Sequence, residues 1–327
     1  MIKLLDTFAV GGFHLALEQS IKENIECIFS EIDKFAKQVY TQRFPNTPDL
    51  DITKIDIANL PDFDIVTFPC QDVSVAKQNL ERTVLVEYLL QILEQKQPKY
   101  FIFENVKGLL NKKFDKFRES IFERMRVYSM IYKVLNTKDF LPQNRQRVFM
   151  VELTNSNIFE FNFPKQTLTT FLKDILEEEV DEKYYMTEEQ YNKLSYDNIK
   201  RIYDKLAPTL DTCHRQPKIL FNKFNNRIIE NISTSTVFTN KQYMVCSPIR
   251  SREFTFKDIT PTLCARDYKD PKQMTNVVIR KLTPIEYARL QFPDKWSTDY
   301  VSNSQAYKQM GNAISVPVVK ALFDNLI

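Results

Sequence analysis

Glycine is nearly absent from this chain: only Gly11, Gly12, Gly108 and Gly311 occur in 327 residues, against an average usage of about 7%. Histidine is scarcer still, with only His14 and His214. That argues against a histidine-based catalytic triad or zinc site, so any cysteine chemistry must run without a histidine partner. The five cysteines, Cys27, Cys70, Cys213, Cys246 and Cys264, form no C-x-x-C pair, and read as free thiols of a reducing compartment. No run of about 18 apolar residues is present to span a membrane. Met1 to Phe8 carries Lys3 and Asp6 and leads straight into a motif, so no secretory leader is expected and a cytoplasmic location is. Charge of one sign is lacking too: the net is +3, with 43% hydrophobic and 27% charged residues. This is ordinary globular composition, which permits a nucleic-acid partner without demanding one.

What is present centres on Thr67 to Ser74, T-F-P-C-Q-D-V-S. Phe63, Ile65 and Val66 before it read as a buried strand, and Pro69 stops the ladder because it has no N–H to donate. A cysteine in a loop just beyond a strand lies where α/β sheets hold their chemistry. The amino-terminal region reads as strand (Ile2 to Leu5), glycine turn (Asp6 to Gly12), helix (Phe13 to Lys22) and strand (Ile25 to Phe29), with Glu31 lying 19 residues beyond Gly12. This is the order of a nucleotide-binding βαβ unit, whose distal acid accepts from ribose hydroxyls.

Helical spacing returns from Leu80 to Lys96, with Leu85, Leu89, Ile92 and Leu93 inward, and again through Phe114, Phe117, Ile121, Phe122 and Met125. Tyr100 to Phe103 reads as a strand with Glu104 at its carboxyl end, and Val148, Met150 and Leu153 belong to another. Alternating strands and helices predict a doubly wound α/β sheet. From about Leu172 the pattern degrades into short apolar pieces with scattered arginines. Ser315 to Leu326 reads as a helix that packs back onto the first domain through Val318, Val319, Leu322 and Phe323, with Pro317 early, where a missing N–H costs little. The expected division is a catalytic domain over 1–172, completed by 303–327, and a second, smaller domain with a hinge over 173–302.

The P-C-Q triplet resembles the nucleophile motif of the cytosine-C5 DNA methyltransferases. Further segments resemble that family in the same order: D-T-F-A-V-G-G-F from Asp6, E-N-V from Glu104, P-Q-N-R-Q-R-V from Pro142, R-K-L-T-P-I-E-Y-A-R-L-Q from Arg280 and Q-A-Y-K-Q-M-G-N-A from Gln305. The resemblance implies a Rossmann-like, S-adenosylmethionine-dependent methyltransferase sheet of seven mostly parallel strands, with one antiparallel strand, beside a target-recognition domain. It implies Cys70 as nucleophile toward cytosine C6, Glu104 as the carboxyl facing N3 and the exocyclic amine, and Arg145 and Arg147 near the nucleophile and the target's sugar-phosphate. Two residues apart in an extended stretch, these arginines project to one side.

Phe8, Val10, Gly11, Gly12, Glu31, Asp51, Ile52, Pro69, Asn312 and Ile314 match the cofactor pocket, with Glu31 on the ribose and Asp51 and Ile52 on the adenine. Gln71 and Ser74 in the loop that closes over a flipped base, and Arg250, Arg252, Thr262, Leu263 and Arg266 in the variable block, match positions that touch DNA. No metal is implied. The implied partner is double-stranded DNA, with a cognate restriction endonuclease as a second, and the protein is expected to be a monomer. A tRNA cytosine-C5 methyltransferase of the same fold and a non-catalytic DNA-binding relic are the competing readings.

The scarce glycines fall at motif positions. The cofactor loop is one residue short between Ala9 and Val10. Thr67 and Phe140 stand where the family has glycine, no glycine precedes Lys77-Gln78, and Gln291 runs directly to Phe292. Glycine in such loops supplies positive φ and close backbone approach, so its loss should shorten the cofactor loop and distort the site. Two origins fit: decay, or glycines that the cell inserts at a codon ordinary translation passes over. The second is favoured, because Cys70, Glu104, Arg145 and Asn312 all remain.

Overall fold

The computed structural model describes residues 1–7, 10–69, 80–125, 128–154, 161–185, 277–292 and 296–327, with short strands at 202–203, 218–222, 227–228, 236–238, 244–246 and 274–275. Its centre is a six-stranded sheet built from β1 (Ile2–Thr7), β2 (Ile25–Ser30), β3 (Ile65–Pro69), β4 (Tyr100–Val106), β5 (Tyr128–Asn136) and β6 (Gln146–Thr154), in the order β2-β1-β3-β4-β6-β5. The first four strands are parallel, and β6 runs antiparallel to both its neighbours. Six strands, rather than seven, are found among the described residues, with the single antiparallel strand in place.

Side-chain alternation assigns each strand to two cores. Leu4, Ile65, Ile102, Phe149 and Val151 enter one apolar cluster, while Leu5, Val66, Phe101, Phe103, Val148 and Met150 enter the other. A sheet buried on both faces needs apolar residues at consecutive positions, which is why these strands read as unbroken apolar runs. Helices α1 (Gly12–Ser20) and α2 (Lys34–Arg43) bury Phe13, Leu17, Val39 and Tyr40 in the first cluster. Helix α3 (Leu80–Lys96) contributes Leu89, Ile92 and Leu93 to the second, and α4 (Asp115–Arg124) adds Ile121. The bounds of α3 are those the spacing predicts.

Two sequence expectations change. Strand β4 continues to Val106, so Glu104 lies within it rather than at its end. Strand β5 had no counterpart in the sequence reading; it is an edge strand whose Tyr132 and Lys133 are exposed, so its apolar alternation is weak.

The chain returns through β13 (Val277–Lys281), which pairs with β8 (Lys218–Asn222); β8 also pairs with β7 (Ile202–Tyr203) and β9 (Arg227–Ile228). A second small sheet joins β10 (Thr236–Phe238), β11 (Met244–Cys246) and β12 (Met274–Thr275). Three helices close the molecule: α5 (Pro284–Arg289), α6 (Asn303–Asn312) and α7 (Val316–Leu326). Thr283 caps α5 in a reciprocal box with Glu286, and Pro284 begins the helix, where its missing N–H is harmless. Leu282, Tyr287, Leu290, Phe292 and Trp296 share the apolar cluster of Leu4 and Phe13. The return segment therefore packs with the catalytic sheet from Leu282 onward. Helix α7 lies on α1, burying Val318, Val319, Leu322 and Phe323, and Ser20 Oγ donates to Lys320 O at 3.2 Å. Both chain ends thus build one layer.

Candidate active site

The parallel strands end on one edge of the sheet, and the register fixes what meets there. Asp6 pairs with Thr67, and Pro69 pairs with Glu104. Glu104 pairs in turn with Phe149, and Arg147 stands opposite Val106. By the two-residue period of a strand, Asp6, Thr67, Glu104 and Arg147 all project from one face. The Arg147 guanidinium contacts the Glu104 carboxylate at 3.0 Å (Nε to Oε1), with side-chain exposures of only 15% and 6%. Burial draws the Arg147 pKa down, and Glu104 opposes that. The pair couples a carboxyl and a guanidinium one strand away from Pro69. Cys70 follows directly; it, Phe8, Gln71, Ser74, Arg250, Arg252, Thr262, Leu263 and Arg266 lie outside the described residues. Pro69 is described through its strand pairing.

Arg145 is on the same face but is committed elsewhere. Its two terminal nitrogens donate to Gly311 O at 3.1 Å and Ala313 O at 2.8 Å, and it is 3% exposed. It therefore clamps the G-N-A turn through both terminal nitrogens; Cys70 lies outside the described residues, so the place of Arg145 beside the nucleophile stays an expectation. Asn312, the last residue of α6, lies between the clamped carbonyls. Ile314 is buried against Gly12: a Cβ built there would come within 2.5 Å of Ile314 Cγ1. Gly11 holds φ +79 as the N-cap of α1, with Trp296, Tyr40 and Phe44 around its Cα. That is the one described turn where glycine's left-handed freedom is required.

Glu31 curls onto its own loop, where Oε1 accepts from Ile32 N at 2.8 Å and Asp33 N at 2.9 Å. Burial raises its pKa. Oε2 takes no hydrogen bond from the described residues, and the adjacent Ile32 is 81% exposed. The Asp49–Ile52 segment is held beside Glu31 because Leu50 N donates to Phe29 O at 2.9 Å and Ile52 N to Ser30 Oγ at 3.3 Å. Lys54, with the Thr53 hydroxyl and N–H, keeps Asp51 down at about 2. An acceptor oxygen free beside an exposed apolar side chain and a fixed carboxylate fits a ribose with an adenine beyond it.

The sequence reading gave no role to three residues that tie this edge together. Asp6, 1% exposed, accepts from His14 N and from the Thr67 hydroxyl, both at 3.2 Å. Burial pushes its pKa up to about 7, with Glu31 adding to the rise. Thr67, at a position where glycine was expected, sits in regular strand and sends its hydroxyl to Asp6. Lys308 of α6 pairs with Asp33 at 2.7 Å and so pins the Glu31 loop from the carboxyl-terminal layer. An acid closing β1 ahead of a glycine turn was the available signal for Asp6; the other two pairings span distances that no local pattern records. The distortion expected from missing glycines is absent at the described positions: Phe140 has φ −121, and Gln291 and Phe292 both donate to Ala288 O.

The C-5 cytosine-specific DNA methylase family matches residues 2–327. The chain belongs to this family. Among similar proteins, the type II methyltransferase M.NlaX of Neisseria lactamica is 33% identical over 344 residues, covering 100% of this chain and 96% of the relative. The type II methyltransferase M1.ScrFI of Lactococcus lactis subsp. cremoris is 33% identical over 348 residues, covering 99% and 78%. The fold is similar to the Dnmt2 methyltransferase of S. pombe, with TM-score 0.64 and 20% identity over 99% of this chain and 97% of that one. A DNMT2 variant of Spodoptera frugiperda gives TM-score 0.67 and 19% identity over 100% and 99%. This cytosine-C5 methylase is therefore a DNA-modifying transferase of a methyltransferase family, with a mixed α/β sheet of the Rossmann-like kind. Among the described residues, no helix is long and apolar enough to cross a membrane and no acid, histidine or cysteine cluster could hold a metal.

Proposed function

We propose that this cytosine-C5 methylase works through Cys70 on a cytosine flipped out of duplex DNA. The observation that carries this is the buried Glu104–Arg147 pair one strand from Pro69, on the edge where the nucleophile loop begins. A thiolate adding to cytosine C6 places electron density at C5. A free thiol has a pKa near 8.5, and a cationic neighbour raises its thiolate fraction. Glu104 holds the base through N3 and the exocyclic amine, and Arg147 fixes the orientation of that carboxyl. Once C5 carries the methyl group that the cofactor would supply, loss of the C5 proton expels Cys70 as a thiolate and restores the aromatic ring. Flipping is necessary because a stacked base cannot present C6 to a side chain, and it costs a few kcal/mol.

S-adenosylmethionine supplies an electrophilic methyl group when bound. Glu31 Oε2 would take its ribose, Asp51 and Ile52 its adenine, and Asn312 the remaining edge, while Gly11 and Gly12 allow close backbone approach. We assign 1–172 and 282–327 to the catalytic domain, on the shared apolar core, and the intervening block to target recognition. The type II relatives support a modification enzyme, and the reading is completed by a cognate endonuclease as partner, a cytoplasmic location and a monomeric state.

The test uses tritiated S-adenosylmethionine with mixed-sequence duplex DNA. Label recovered as 5-methylcytosine, and lost in Cys70→Ala, is the expected result. A second arm inserts glycine between Ala9 and Val10 and between Gln291 and Phe292. No label in either arm, with duplex binding intact, would make the protein a binding relic; label in tRNA alone would transfer the activity to RNA.

A further inference from the structure

Past Glu104, strand β4 runs out at Val106 into two 3-10 turns, Lys107–Leu110 and Lys112–Phe114, before α4 begins. This segment leaves the sheet on the edge that carries the Glu104–Arg147 pair. Lys107, Lys112, Lys113 and Lys116 are all exposed, and none forms an ion pair among the described residues. The one acid between positions 107 and 116, Asp115, is drawn from the lysines by pairing with Arg118. Arg118 also donates to Leu109 O, and to Asn111 O at 3.2 Å, so one guanidinium ties both turns to α4. Lys107 Nζ reaches Gln146 Oε1 at 3.1 Å, next to Arg147, which makes the lysine surface continuous with the site.

Like charges held close together raise a protein's self-repulsion. Here Lys107, Lys112 and Lys113 lie on two turns braced by Arg118 and Lys116 on the first turn of α4, near a buried guanidinium, and the acid among them is turned to Arg118. A partner with closely spaced negative charge relieves that repulsion. We infer that Lys107, Lys112, Lys113 and Lys116 form a ridge that takes the phosphodiester backbone of duplex DNA flanking the flipped cytosine. The inference rests on the proposed duplex substrate and adds a second binding surface, on the catalytic domain, to the target-recognition block. Because phosphates carry no sequence information, the ridge would set register and orientation without selecting bases.

Each lysine that neutralises a phosphate releases condensed counterion, and log K then falls with log salt by about 0.9 per neutralised phosphate. The test measures binding of a fluorescently labelled mixed-sequence duplex by anisotropy across a potassium chloride series. It compares the unmodified protein, Lys112→Gln/Lys113→Gln/Lys116→Gln, and Lys22→Gln/Lys99→Gln. The last pair are exposed lysines before β2 and β4, on the opposite edge of the sheet, and serve as the charge control. The ridge variant should reduce the slope by about 0.9 for each phosphate it no longer neutralises, up to about 2.7, with equal effect on specific and mixed sequences, and the control should keep the full slope. An unchanged slope in the ridge variant, or an equal reduction in both variants, overturns the ridge while leaving the duplex substrate standing. A steep slope on structured RNA with none on duplex DNA overturns both.

Discussion

Replacing Arg145 with methionine separates a clamp from a catalytic group. The guanidinium donates to two carbonyls, Gly311 O and Ala313 O, from a position 3% exposed. Hydrogen bonds from a charged donor contribute about 1.5–3 kcal/mol each, and their removal leaves two acceptors desolvated. Burial of the charge offsets part of this, for it pulls the Arg145 pKa well below its ordinary value, helped by the like charge of Arg147. Methionine fills much of the aliphatic volume, so the net loss should be about 3 kcal/mol. Unfolding entropy of about 2.1 cal/mol/K per residue over a catalytic domain of about 200 residues converts this to a midpoint about 7 °C lower. Because Asn312 lies between the clamped carbonyls, S-adenosylmethionine affinity should fall as well. Thermal melting and equilibrium dialysis read the two effects, and Arg145→Lys, which cannot fork to both carbonyls, should recover little of either. An unchanged midpoint and unchanged cofactor affinity with turnover abolished would refute the clamp and restore Arg145 to the chemistry.

Two further outcomes follow from the same edge. The buried Asp6 carboxyl meets no cation among the described residues: it faces the His14 N–H and the Thr67 hydroxyl, with Glu31 and Cys27 nearby, and its pKa is raised to about 7 by burial. An acid whose folded pKa is raised stabilises the fold while protonated, and that stability is lost as pH rises from about 4 through about 7, up to about 4 kcal/mol in all. Asp6→Asn should therefore flatten the fall in melting midpoint across that window, and an identical pH profile would refute the assignment. Gly12→Ala drives a Cβ to 2.5 Å from Ile314 Cγ1 and should cost about 1–3 kcal/mol by overpacking. Ile314→Ala in the same chain should return part of that loss in a double-mutant cycle, and strict additivity of the two changes would refute the close approach.

Much of the fold was legible because burial on both sheet faces writes itself into consecutive apolar residues, and helix α3 because its spacing persists over 17 residues. Strand β5 was not legible, since this edge strand exposes the consecutive Tyr132 and Lys133 and so breaks the alternation. The packing of the return segment from Leu282 was not legible, because a short helix such as α5 shows its partner only through packing with residues far earlier in the chain, among them Leu4 and Phe13.

The sequence by itself determined the family, the order of the motifs and the βαβ unit, which depend on residue type at short spacing, and through its resemblance to that family it proposed Cys70, Glu104, Arg147 and Glu31 as the site. Tertiary structure alone decided that Arg147 turns to Glu104 while Arg145 turns to the G-N-A carbonyls, that Thr67 answers Asp6, and that Lys308 reaches the Glu31 loop. Two arginines at i and i+2 have the same local signature. What distinguishes them is which strand or turn lies within reach, and strand register between distant segments is set by packing of both cores at once.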